Sequence, residues 1–63
     1  MRKINKKVLD VKGNDARFVI INSFCLGDIY GFFDSYTEAE RELLDLVNTS
    51  ALGVLYEIAE VVE

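Results

Sequence analysis

Ile29-Tyr30-Gly31-Phe32-Phe33 runs directly into Asp34-Ser35-Tyr36-Thr37-Glu38, and the reading of this junction decides the fold. The first five residues are apolar and mostly aromatic, as in a buried strand. The next five carry a helix start. Ser35 is placed as the N-cap: its hydroxyl can accept from the backbone N–H of Glu38, and the Glu38 carboxylate can reach back to the N–H of Ser35. At 100° per residue from Tyr36, the apolar side chains of Tyr36, Ala39, Leu43, Leu44, Leu46 and Val47 span an arc of roughly 160°. That pattern describes a helix packed on one side. Glu38, Glu42 and Asp45 lie opposite with Arg41 at the border, Glu40 alone intrudes on the apolar arc, and the helix is expected to end near Asn48.

Upstream, the stretch from Ala16 to Phe24 has Phe18 and Ile20 on one strand face and Val19 and Ile21 on the other, the mark of a central strand apolar on both sides. Gly27-Asp28 suits a two-residue hairpin loop that would pair Leu26 with Ile29, Cys25 with Tyr30 and Phe24 with Gly31. Further upstream, Ile4 to Lys12 alternates loosely like a half-exposed strand, and Gly13-Asn14-Asp15 reads as a turn into the next strand.

Downstream, Asn48-Thr49-Ser50 is a polar break. Gly53 to Glu63 fits either period, but its β-branched Val54, Ile58, Val61 and Val62, together with Gly53, favour a strand. The expected fold is therefore α+β, a small single-layer antiparallel sheet in the order β-β-β-α-β with one amphipathic helix packed on one face, in one domain over residues 1–63.

A chain of 63 residues buries only about 60% of the surface its unfolded form exposes, so its core is small. No histidine accompanies the single cysteine, Cys25, so neither an internal disulfide nor a Cys/His zinc site can reinforce it. A lone thiol without a signal peptide leads to the expectation of a reducing cytoplasm. The longest apolar runs fall far short of the ~20 residues that span a bilayer. The apolar fraction of 51% argues against disorder.

Charge is segregated along the chain. Residues 1–17 carry six basic and two acidic side chains, whereas Arg41 stands alone against nine acids from Phe18 onward. Such asymmetry bears on partners more than on fold.

No catalytic constellation emerges. Cys25 lacks the histidine that would activate a nucleophilic thiol. Asp10, Asp15, Asp28 and Asp34 lack the ligand spacing of a cation loop, and each has a turn or cap position that explains it. Glu38, Glu42 and Asp45 lie on a convex helix face, where solvent keeps carboxylates at ordinary acidity. Gly27 and Gly31 match no phosphate-binding loop. No enzyme activity, metal or cofactor is expected.

Two binding surfaces compete. Arg2, Lys3, Lys6 and Lys7 would suit phosphate in a nucleic-acid-binding module, although lysines also protect an exposed edge strand. Glu38 and Glu42, and Glu42 and Asp45, are like-charge helix neighbours that destabilise mildly, and Asp45 lies near the negative end of the helix dipole.

Strands apolar on both faces with only one helix to cover them lead to the expectation of a homodimer or a protein partner on the open face, with Tyr30 and Phe32 taking part. The favoured reading is a small cytoplasmic, non-enzymatic interaction protein. It is of the kind expected of a phage or mobile-element accessory that inhibits a host protein handling nucleic acid. A self-assembling structural subunit is a further alternative.

Overall fold

The helix start read from the sequence is in place in the computed structural model, which describes residues 1–9 and 15–63. Four strands, β1 (Arg2–Asn5), β2 (Phe18–Asn22), β3 (Cys25–Phe33) and β4 (Tyr56–Val62), form one sheet in the order β1-β4-β2-β3. A single-turn helix, α1 (Lys6–Leu9), follows β1. The 14-residue helix α2 (Tyr36–Thr49) leads from β3 through a 3-10 turn (Ala51–Leu55) to β4. The fold is thus α+β, with one main helix on a four-stranded sheet. β2 runs antiparallel to both β3 and β4, whereas β1 runs parallel to β4, so the sheet is mixed rather than wholly antiparallel.

The Ser35 hydroxyl accepts from the Glu38 N–H at 3.2 Å and starts α2. The helix runs one residue past Asn48, and the N–H of Ser50 closes its end on the Leu46 carbonyl at 2.9 Å.

The β2–β3 hairpin turns earlier than Gly27-Asp28. Asn22 pairs with Cys25 across Ser23-Phe24, and the pairs behind it are Ile21 with Ile29, Ile20 with Gly31, Val19 with Phe32 and Phe18 with Phe33. Two causes act together. Asn22 Oδ1 accepts from the Phe24 N–H at 2.8 Å, a local bond that favours a turn there. In addition, α2 ends β3 at Phe33. A turn at Gly27-Asp28 would have set Val19, Ile20 and Ile21 opposite Tyr36, Ser35 and Asp34, which belong to the helix start, leaving the most apolar strand without a partner. The early turn is absorbed by register shifts on either side of Ile21.

β1 is not the first arm of a hairpin with β2, because β4 lies between them. The strand expected over Ile4–Lys12 stops at Asn5, whose Oδ1 accepts from the Lys7 N–H at 2.8 Å and turns the chain into α1. The rest of that expected strand, Asp10, Val11 and Lys12, and the turn residues Gly13 and Asn14 lie outside the described residues. The C-terminal strand is present but begins at Tyr56. Gly53 belongs instead to the 3-10 turn, where a Cβ would sit 2.7 Å from the Leu46 carbonyl oxygen and from Val47 Cα.

The faces of β2 divide as the alternation predicts. Ile20 is fully buried on the α2 side, as is Ala39 of the helix, and the Phe18 ring meets Tyr36 edge-on at 5.9 Å. On the other side, Val19, Ile21 and Ala59 are fully buried with Ile4 and Leu9. Each aliphatic side chain taken from water in this way contributes about 1.5–3 kcal/mol. The second face therefore has cover of its own at the centre: Leu9 of α1 packs there with Ile4, and Ile29, Phe32 and Val61 pack around them. The apolar arc of α2 is only partly used, because Leu43 and Leu46 are half-buried while Tyr36, Leu44 and Val47 remain exposed.

Candidate interaction site

The five partner-binding candidates, Glu38, Glu42, Asp45, Tyr30 and Phe32, come from two elements and do not form one patch. Phe32 is half-buried on the sheet face away from α2, against the cluster of Ile4, Val19, Ile21 and Ala59. Tyr30 leans on Tyr56, ring centroids 6.2 Å apart and edge-on. Glu38 and Asp45 are exposed and Glu42 is half-buried.

The placement of the acidic stripe follows from the helix period. Tyr36 and Leu43 line a shallow cleft with Met1, Tyr56 and Ile58, so the flank of α2 that carries them faces β4 and β1. Glu38, Glu42 and Asp45 stand roughly 110–170° around the axis from that flank, on the β3 side. The usual right hand of a crossover between the parallel strands β3 and β4 gives the same placement. β3 is also an outer strand and, among the described residues, pairs only with β2. The acidic stripe thus runs beside the free edge of the sheet.

A polar network at the broad part of the β2–β3 register shift holds that edge. Asp28 Oδ2 accepts from the Tyr56 hydroxyl at 2.7 Å and from Asn22 Nδ2 at 3.3 Å. The bond to Asp28 keeps the Tyr56 phenol above its usual value of 10.0, with desolvation and the nearby charges of Asp28 and Cys25 acting in the same direction. Reading the sequence for chemistry missed this network, because its members are far apart in the chain. The one local signal is Asn22 before a polar residue, a turn former inside the strand expected from Ala16 to Phe24. Cys25 is exposed.

The four basic candidates lie at the opposite edge, in β1 and α1, and are partly engaged within the chain. Arg2 Nε lies 3.0 Å from Glu57 Oε1, a charge contact without the alignment of a hydrogen bond. Lys3 is in register with Glu60, and Lys6 Nζ lies 3.3 Å from Asp15 Oδ1. Lys7 is exposed. Arg2 thus offsets Glu57 of β4, and Lys3 stands in register with Glu60, as cross-strand charge pairs do. Of the aspartates considered for a cation, Asp28 is engaged as described and Asp15 meets Lys6. Asp34 is exposed, and Asp10 lies outside the described residues.

No family model, no curated protein and no solved structure matches this chain. Among the described residues no helix is long and apolar enough to cross a membrane.

Proposed function

We propose that this is a non-enzymatic interaction protein that binds a basic surface of another protein along its α2 and β3 side. The observation that supports this reading is the alignment of Glu38, Glu42 and Asp45 beside an outer strand that, among the described residues, pairs only with β2. Like charges at these spacings weaken an isolated helix by about 0.2–0.5 kcal/mol per pair, and a carboxylate near the helix C-terminus opposes the dipole. A cost carried along one flank, next to an outer strand, is consistent with a binding role. A phage or mobile-element accessory blocking a host protein that handles nucleic acid suits the reading, since such a host protein presents cations to phosphate.

The test compares the wild-type chain with E38Q/E42Q/D45N in affinity capture from nuclease-treated lysate, followed by binding kinetics on the captured protein at two salt concentrations. Rim charges act mainly on encounter, so the triple variant is expected to associate more slowly and with less dependence on salt. Association at the wild-type rate in low salt would reduce the acidic stripe to a solvated surface.

A further inference from the structure

The two outer strands are finished differently. β1 is four residues long and carries Arg2 and Lys3, charges that discourage a further strand from pairing. β3 is nine residues long, and its segment Ile29–Phe33 contains neither a charge nor a proline. The one charged residue of β3, Asp28, is held by Asn22 and Tyr56. Tyr30 is an extra residue between the Ile21–Ile29 and Ile20–Gly31 pairs, so the edge in regular register with β2 is Gly31–Phe33. It presents outward the alternate backbone N–H and C=O groups that β2 does not use.

We infer that the basic partner docks by strand addition: an extended segment pairs with β3 over Gly31–Phe33 and places lysine or arginine on the α2 side of the sheet, against Glu38, Glu42 and Asp45. The inference rests on the reading under Proposed function and adds the form of the ligand. A strand with a cation at every second position carries all of them on one face, which is the arrangement this site complements. A second copy of the chain fits poorly. Antiparallel pairing of two β3 edges about a two-fold axis sets both α2 helices on the same face of the joined sheet, each with its β3-side flank toward the other. The two acidic stripes would then meet.

The probe is a fluorescently labelled peptide of alternating threonine and lysine, about eight residues long to match the reach of one strand. It is titrated into the full chain and followed by anisotropy and by amide hydrogen exchange. A fully N-methylated peptide of the same sequence keeps the charges but cannot donate backbone hydrogen bonds. A threonine–glutamate peptide reverses the charge.

Binding of the lysine peptide is expected to protect amides within Gly31–Phe33. E38Q/E42Q/D45N is expected to weaken it roughly tenfold, in line with three partly exposed charge pairs. The N-methylated peptide is expected to bind at least roughly tenfold more weakly, and the glutamate peptide not measurably. Equal binding of the N-methylated peptide overturns strand addition while leaving the acidic surface as a binding site. Insensitivity to the triple variant overturns the acidic reading as well. Absence of binding at millimolar peptide overturns the inference, as does a peptide-free dimer already protected at Gly31–Phe33, which would make a second copy the occupant.

Discussion

At the scale of single residues, two positions do work that their identity alone does not announce. Tyr56 donates its hydroxyl to Asp28, which raises the phenol above its ordinary value of 10.0. The protonated phenol is the form favoured by the fold. The associated stability is therefore present below the unfolded tyrosine value and is lost as pH rises through the folded one. Absorbance titration of the phenolate should show Tyr56 ionising above the usual range, and Asp28→Asn should move it back down. Gly53 is required for closeness rather than for an unusual backbone angle, because a Cβ there would press on the α2 backbone at Leu46 and Val47. Backbone cannot swing aside as a side-chain tip can. Gly53→Ala should therefore cost about 1–3 kcal/mol, read as a lower urea midpoint at unchanged slope.

At the scale of elements, α2 was the most legible part of the chain, because a cap and a 3.6-residue period are local physics contained within a few turns. Ser35→Ala should destabilise the fold by about 1 kcal/mol in urea titration, the usual cost of removing such a cap. The hairpin was less legible. Gly27-Asp28 satisfied the local preference for a two-residue loop, yet the turn formed at Ser23-Phe24, where Asn22 bonds the Phe24 N–H. The deciding constraint was already in the sequence: a helix starting after Ser35 leaves Ile29–Phe33 as the apolar partner on the downstream side within hairpin reach of Phe18–Ile21. The alternation of β1 ended at Asn5 for a similar reason, since an asparagine side chain offered the backbone a competing bond.

At the scale of the whole molecule, the second sheet face decides how much apolar surface is left over. The expectation of a homodimer rested on that face lying open, and Leu9 together with Ile4 closes its centre. Leu9→Ala should remove about 2–3 kcal/mol of stability and reopen the face, so that light scattering detects more self-association than for the wild-type chain at the same concentration. Charge is also arranged at this scale. Arg2 of β1 meets Glu57 of β4 and Lys3 is in register with Glu60, while the carboxylates of α2 lie beside β3, so a segregation visible along the chain becomes one mixed-charge edge and one acidic edge. What the sequence determined by itself was the capped helix, the two-sided apolar character of β2 and the α+β class, because each follows from residues close together in the chain. Strand order, the parallel pairing of β1 with β4, and the placement of the acidic stripe beside the outer strand β3 were decided only by the tertiary structure. Those depend on which distant segments cover each other's apolar faces and offset each other's charges, and no local period encodes that choice.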